Sequence, residues 1–248
     1  MNTLIMGGTS GLGLEIARLE HKQREVIVAG RHDPALTGNG EAYDFTDKYV
    51  PIDLSCEPLG QRIEELVDFL PSIYSLVYAP GFYQEGHIDE IGDDEVDRML
   101  NVCQRGLIFT VKKLLEKQGE LPELVTITST SQWTPRELEP VYNAAKAAAG
   151  HFSNAISLDP RVGKTLVAAP SGMATPFWDE DGRDTSHMMQ PEWVAYQIQQ
   201  LRSGESPLLE VKSEDGGPEL KADYSYCFAK ILGAKDGLPQ RVEIEEIR

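Results

Sequence analysis

Short apolar runs alternate along this chain with longer segments whose apolar residues recur every three or four positions. Thr3-Leu4-Ile5-Met6 is the first run, and a glycine-rich turn from Gly7 to Gly13 follows it. Leu14-Glu15-Ile16-Ala17-Arg18-Leu19 then continues with helical character. Further strands are predicted at Arg24–Ala29, Tyr49–Ile52, Ser75–Tyr78, Leu124–Thr128 and Thr165–Ala168. Helical spacing appears at Leu59–Leu70, where residues 59, 63, 66, 67 and 70 are apolar, and again at Asp93–Gln118, Val141–Leu158 and Pro191–Leu201. The segment Asp33–Asp47 holds Pro34, Gly38, Asn39 and Gly40 and reads as mostly loop. Near-continuous apolar strands alternating with helices imply a parallel sheet covered on both faces: an α/β, doubly wound, Rossmann-like fold of about seven strands.

The C-terminal part is less regular. Two segments compete to be the last strand, Pro207–Lys212 and Leu238–Arg248. The second is favoured, with 204–237 as a possible insertion carrying a short helix near Tyr226–Leu232. The whole of 1–248 then reads as one domain, for which 248 residues is a suitable length.

Composition narrows the function. A net charge of -17 disfavours nucleic acid, whose phosphates the surface would repel, and means that an anionic cofactor must be held by local features. Acidity of this size is otherwise a solubility trait. No run of eighteen apolar residues exists, so no membrane span is expected. The N-terminus enters a strand at once and does not read as a signal peptide. Cys56, Cys103 and Cys227 have no metal or redox spacing and read as reduced, cytosolic thiols. His151 and His187 stand alone, and no metal is expected.

Candidate chemistry lies in three places. Gly7, Gly11 and Gly13 between a strand and a helix let backbone N–H groups approach phosphate, and the helix N-terminus adds partial positive charge. Thr9 and Ser10 supply hydroxyls beside Leu12 in the same turn. Tyr142 and Lys146 are four apart on a helix and therefore share a face. An ammonium near a phenol favours the phenolate and brings its pKa toward the working range. Ser129 precedes Tyr142 by thirteen residues, at the end of the fifth strand.

Together these motifs resemble the short-chain dehydrogenase/reductase family from residue 1 to about residue 203. The resemblance implies that Tyr142 exchanges a proton with a carbonyl or alcohol oxygen. Ser129 would hydrogen-bond the same oxygen, and Lys146 would hold the nicotinamide ribose. Asn101, in Leu100-Asn101-Val102-Cys103, matches the family's helix asparagine, whose backbone carbonyl holds a relay water. The plain alternative for Asn101 is a polar residue breaking a helix face. Asp53-Leu54 matches the pair that contacts the adenine, although an Asp ending a strand is also a common cap. Ala79-Pro80-Gly81 replaces the usual Asn-Ala-Gly; Gly81 keeps the close approach to the cofactor while Pro80 removes a donor. Pro170, Met173 and Thr175 resemble the segment flanking the nicotinamide, with Ser171 in place of the usual Gly.

The second strand ends Ala29-Gly30-Arg31-His32. NAD-preferring enzymes place a carboxylate there to hold the ribose 2′-hydroxyl. Here Gly30 stands at that position and Arg31 follows, a guanidinium suited to a 2′-phosphate. NADP(H) is therefore favoured over NAD(H), the alternative being a solvated surface arginine.

Residues 176–190 resemble the family's substrate loop, with Phe177, Trp178 and Met188, and Trp133 and Tyr83 from nearby loops, as candidate pocket lining. Asp179-Glu180-Asp181 reads as a solvated face. The function expected is reduction of a small or medium carbonyl compound, or the reverse alcohol oxidation. A cofactor-sensing protein of the same fold and a nucleotide-sugar epimerase or dehydratase remain the alternatives. Relatives are commonly homodimers or homotetramers joined through the Tyr142 helix and the long helix before it, and the small residues Ala144–Gly150 suit such packing. A cytoplasmic location is expected.

Overall fold

The computed structural model describes residues 1–33, 48–178, 182–212, 218–220, 224–235 and 237–248. The loop expected at Asp33–Asp47 falls, from residue 34 on, outside the described residues, as does the acidic cluster at 179–181.

The strands are β1 (Asn2–Met6), β2 (Glu25–Gly30), β3 (Tyr49–Pro51), β4 (Ile73–Tyr78), β5 (Leu121–Ile127), β6 (Val162–Pro170), β7 (Glu210–Lys212), β8 (Pro218–Leu220), β9 (Tyr226–Leu232) and β10 (Arg241–Ile247). The helices are α1 (Gly11–Glu20), α2 (Leu59–Phe69), α3 (Asp93–Leu100), α4 (Gly106–Gln118), α5 (Pro140–Ile156) and α6 (Pro191–Ser203). The predicted helix over 93–118 is one helical run broken by a π-turn at Asn101–Arg105.

The main sheet has eight strands in the order β3-β2-β1-β4-β5-β6-β9-β10. Pairing is parallel from β3 through β9, and β10 runs antiparallel on β9 at the edge. Strand alternation feeds two cores. In β1, Ile5 faces the layer formed by α1 and α6, where Ile16, Ala17, Val194 and Ile198 are buried. Leu4 and Met6 face the opposite layer, with Ile63 and Val67 of α2 and Leu107, Val111 and Leu114 of α4. Chain order reverses direction between β1 and β4, which opens a crevice at their C-terminal ends, the place where open α/β sheets bind ligands.

The C-terminal expectation needs correction. Tyr226–Leu232 is not a helix but β9, paired in parallel with β6 from Thr165↔Tyr226 to Pro170↔Ile231. A seven-residue apolar run is ambiguous between helix and strand, and the open edge of β6 decides it. The stretch treated as a possible insertion, 204–237, thus carries a strand of the main sheet, while 210–212 pairs, among the described residues, with 218–220 in a separate ladder. The favoured last strand does join the sheet, as the eighth rather than the seventh member.

At the opposite edge from the crevice, Arg202 of α6 is buried between two carboxylates. It donates to Glu20 of α1 at 2.8 Å, to Glu123 of β5 at 2.6 Å and to the Ser75 hydroxyl at 3.0 Å. Burial pushes the Glu123 carboxyl up, but the Arg202 charge and hydrogen bonds, with Ser75 and Arg24, outweigh it and hold it below its ordinary value. Arg202→Ala should cost about 3–5 kcal/mol in chemical denaturation, because it strands buried carboxylates. A depressed carboxyl stabilises above its unfolded pKa and loses that contribution as pH falls through the folded value. In the variant the stranded carboxyl is pushed up instead, so the stability gap to wild type should narrow as pH falls, starting above the ordinary carboxyl value of 4.5 and continuing down through the lowered wild-type value.

Candidate active site

The crevice begins at the glycine turn. Gly7 (φ 74°) and Gly11 (φ 51°) occupy left-handed backbone that side chains disfavour. A Cβ on Gly13 would lie 2.2 Å from the Gly7 carbonyl oxygen, and one on Gly7 would lie 2.8 Å from the Pro80 nitrogen. The turn is thus pressed against both its own helix and the end of β4. Ser10 is the N-cap of α1, yet its side chain makes no capping hydrogen bond. The first-turn amides of Gly11, Leu12 and Gly13 have no partner inside the helix, and so face the crevice mouth as donors. Thr9 is buried, and a Cβ on Gly30 would lie 2.6 Å from its hydroxyl oxygen. The position that carries a carboxylate in NAD-preferring enzymes therefore has no room for a side chain unless Thr9 moves.

Arg31 is exposed immediately after β2. Burial raises the Asp53 carboxyl, but the Ser55 hydroxyl and backbone N–H bonds and, after them, the Arg31 charge outweigh it and hold the carboxyl below its ordinary range. Arg31 and Asp53, distant in sequence, therefore sit close enough to interact, while the Leu54 side chain is buried in the α2–α4 core. On the other rim, Ala79 N–H donates to the Met6 carbonyl at 3.0 Å, fixing the Ala79-Pro80-Gly81 turn to β1. Thr175 overhangs the glycine turn: a Cβ on Gly11 would lie 3.3 Å from the Thr175 Cβ. Pro170 ends β6, and Met173 accepts from the Trp178 indole at 2.9 Å.

Tyr142 and Lys146 project from α5 as their spacing requires, with the Lys146 ammonium 5.7 Å from the Tyr142 ring centroid. The ammonium is buried and donates to the Ile127 carbonyl at 3.2 Å. Burial pushes Lys146 down, partly offset by the Cys103 thiol. Burial also pushes the Tyr142 phenol up; Cys103 and Glu139 add to that, while a hydrogen bond with Ser129 and the Arg136 charge oppose it. Loss of water outweighs the opposing groups here, so the phenol stays above its ordinary value. Ser129 follows β5 and accepts the Ser131 N–H at 3.1 Å.

Asn101 is buried in the π-turn, and its carbonyl accepts the Gly106 N–H. Its side chain donates to Glu57 at 3.3 Å and accepts from Arg105 at 2.5 Å, and among the described residues no hydrogen bond joins it to Tyr142, Lys146 or Ser129. Cys103, two residues on, packs with Tyr142 and Ala145 instead.

Aromatic rings cover the phenol. Tyr83 stands edge-on to Tyr142 at 5.1 Å, Phe177 lies 6.5 Å from Tyr142, and Trp178 contacts both Tyr83 (5.3 Å) and Phe177 (4.9 Å). Phe177 also sits over Gly81, where a Cβ would lie 3.0 Å from its ring. Arg183 pairs with Glu85 at 2.7 Å and stacks on Trp178, tying this loop across the site. Trp133 lies apart, against Phe228 and Lys230. Reading of the sequence missed Thr128, whose buried hydroxyl has no hydrogen-bond partner among the described residues, and the polar group Ser131, Arg136 and Glu139 behind Ser129. No spacing rule singles these out. Among the described residues no group of three or more His, Cys, Asp or Glu could hold a metal ion, and no helix is long and apolar enough to cross a membrane.

The family model for short chain dehydrogenases matches residues 1–185, and the chain belongs to that family. It is 27% identical over 246 residues to DltE, an uncharacterized oxidoreductase of Bacillus subtilis, covering 92% of this chain and 95% of that one. It is 25% identical over 189 residues to tetrahydroxynaphthalene reductase of Pyricularia oryzae, covering 71% and 65% of the two. Among solved structures, a short-chain dehydrogenase from Sphingobium yanoikuyae in complex with NADPH superposes with a TM-score of 0.69 at 18% identity, over 80% of this chain and 82% of that one. The protein is thus an oxidoreductase of the short-chain dehydrogenase family, with a fold that binds a nicotinamide dinucleotide.

Gly13→Ala should destabilise the protein by about 1–3 kcal/mol, because its methyl has only backbone to displace. Thermal unfolding beside wild type checks this; an unchanged midpoint would show that the turn is looser than described.

Proposed function

We propose that this protein is an NADP(H)-dependent oxidoreductase that interconverts a small or medium carbonyl compound and its alcohol. The observation that carries this is Tyr142 and Lys146 on one face of α5, buried beside Ser129 at the mouth of the crevice. The residues present fit the cofactor. Gly7, Gly11 and Gly13 let the turn close against Pro80, Thr175 and its own carbonyl, and the first-turn amides of α1 would hold a pyrophosphate, with Ser10, Thr9 and the Leu12 amide beside it. Lys146 has three N–H donors and one carbonyl partner, so it has donors left for a ribose diol. The orphaned Thr128 hydroxyl, just past β5 and next to Ser129, needs a polar partner of the same kind. Asp53 and Leu54 would flank the adenine. Ala79, Pro80 and Gly81 would line the ribose side, and Pro170, Met173 and Thr175 the nicotinamide. Arg31, exposed beside the side-chain-free Gly30, supports a 2′-phosphate over a bare hydroxyl.

The bound cofactor supplies the hydride. Tyr142 gives a proton to the substrate oxygen, or takes one from the alcohol. Ser129 donates a hydrogen bond to that oxygen and stabilises its charge. Asn101 shapes the π-turn that brings Cys103 against Tyr142. Tyr83, Phe177 and Trp178 exclude water from the phenol and favour an apolar substrate body. Complete retention of tyrosine, lysine and serine together favours an enzyme over a cofactor sensor.

Tryptophan quenching on titration should show NADPH binding preferred to NADH, and Arg31→Ala should weaken NADPH about tenfold or more. Equal affinity for both cofactors would overturn the phosphate assignment. Tyr142→Phe should keep cofactor binding but lose at least about a hundredfold in reduction of a carbonyl panel of cyclohexanone and acetophenone.

Self-association is also proposed. Ile108, Val111 and Leu115 of α4 and Phe152 and Ile156 of α5 line an open hollow of about 290 Å³ remote from Tyr142, an apolar face that a second copy would cover. The expected outcome is a dimer or tetramer in sedimentation equilibrium that Ile108→Glu splits. A monomeric wild type would rule it out. A cytoplasmic site of action accords with three cysteines none of which is disulfide-bonded.

A further inference from the structure

The π-turn between α3 and α4 leaves a backbone group to be satisfied from outside the helix. Its Gly106 N–H reaches back to the Asn101 carbonyl. In α-helical geometry that N–H would bond the carbonyl four residues back, that of Val102. The Val102 carbonyl therefore loses its helical donor at a partly buried position, where an unpaired carbonyl is costly. The Tyr78 hydroxyl, from the last residue of β4, takes that place and donates to the Val102 carbonyl at 2.7 Å. Burial of the Tyr78 side chain raises its phenol well above the ordinary value, so it stays protonated and remains a donor.

Gly106 completes the fit. A Cβ there would run into the Tyr78 hydroxyl and lie 3.0 Å from the Asn101 carbonyl oxygen. Tyr78, Val102 and Gly106 thus interlock, because the lack of a side chain at 106 leaves the space that the hydroxyl occupies. Core packing explains the Tyr78 ring, which is buried with Leu107 and Val111 of α4. It does not explain the hydroxyl, since a phenylalanine would fill the same core with no polar atom to satisfy.

This lock holds one wall of the site. The π-turn packs on α5, and its Cys103 is buried in one cluster with Tyr142 and Ala145. The Cys103 thiol donates to the Phe82 carbonyl at 3.4 Å, and the next residue, Tyr83, stands edge-on to Tyr142 at 5.1 Å. Two lines of contact therefore run from the turn to Tyr142, one through Cys103 itself and one through the loop after β4. Resting on the reductase reading of the site, we propose that Tyr78 is a positioning residue for Tyr142: its hydroxyl fixes the π-turn, and the turn fixes the acid–base phenol. The Tyr78 side chain lies in the α2–α4 core and acts only through the turn.

The test measures reduction of cyclohexanone and acetophenone by NADPH in wild type, Tyr78→Phe, Tyr142→Phe and the double variant. Wild-type turnover that falls in Tyr142→Phe secures the reductase reading; a wild type inert toward both ketones would overturn that reading and the positioning role with it. Given turnover, Tyr78→Phe should lower kcat about tenfold with KM for NADPH kept, because the phenol is displaced while the cofactor site is not. In the Tyr142→Phe background the same substitution should change the residual rate by less than about twofold, because the group it positions is gone. An unchanged kcat in Tyr78→Phe would overturn the proposal. A fall by the same factor in both backgrounds would also overturn it, leaving Tyr78 a stabiliser of the fold alone. The lock itself is read without substrate or cofactor, by thermal unfolding. Gly106→Ala should lower the midpoint by about 5 °C or more, or prevent folding. In Tyr78→Phe the added methyl takes the vacated place and should cost less than about half as much. Equal losses in both backgrounds would show that the hydroxyl does not hold the turn, and the positioning role would fall while the reductase reading stood.

Discussion

The crevice exists because two stretches of backbone approach more closely than any side chain permits. Gly13 lies against the Gly7 carbonyl and Gly7 against Pro80, so the end of β1, the start of α1 and the turn after β4 share one point of contact. From that point the sheet's strand order diverges in two directions, and the free amides of α1 face the gap. Thr175 over Gly11 and Phe177 over Gly81 roof the same gap from the loop after β6. Every other feature of the site is positioned relative to this contact.

The second support is α5, a 17-residue helix that presents Tyr142 and Lys146 from the opposite wall. Its inward face is dry, and dryness acts on the two groups in opposite senses, raising the phenol and lowering the ammonium. Both shifts favour the uncharged form, so charge at this pair must be sustained by neighbouring dipoles and donors. Ser129 and the Arg136 charge act in that sense on the phenol, while the Ile127 carbonyl accepts from the ammonium. The far edge of the sheet has a different task. There Arg202, Glu20 and Glu123 neutralise one another and clamp α6 to α1 and β5, which anchors the helix that begins at Pro191.

Much of this was legible in the chain. The glycine spacing, the apolar runs and the four-residue step from Tyr142 to Lys146 are local signals with local causes, and the helices and parallel strands appear where they point. Tyr226–Leu232 was misjudged because its apolar residues suit either a helix or a strand, and only the open edge of β6 selects a strand. Asn101 shows a subtler limit. Its place in the helix was evident, but its side chain turns to Glu57 and Arg105, partners supplied by a distant loop and the next turn.

The sequence by itself determined the class of fold and the residue types at the crevice, since periodicity, glycine and helical spacing are properties of neighbours along the chain. Tertiary structure alone decided which charges meet. Arg31 beside Asp53, Arg202 between Glu20 and Glu123, and Glu139 turned from its helix toward Ser131 all join residues whose separation in sequence carries no period. The balance at Tyr142 belongs there too, because the rings packed against its phenol, Tyr83 and Phe177, come from two loops far apart in the chain.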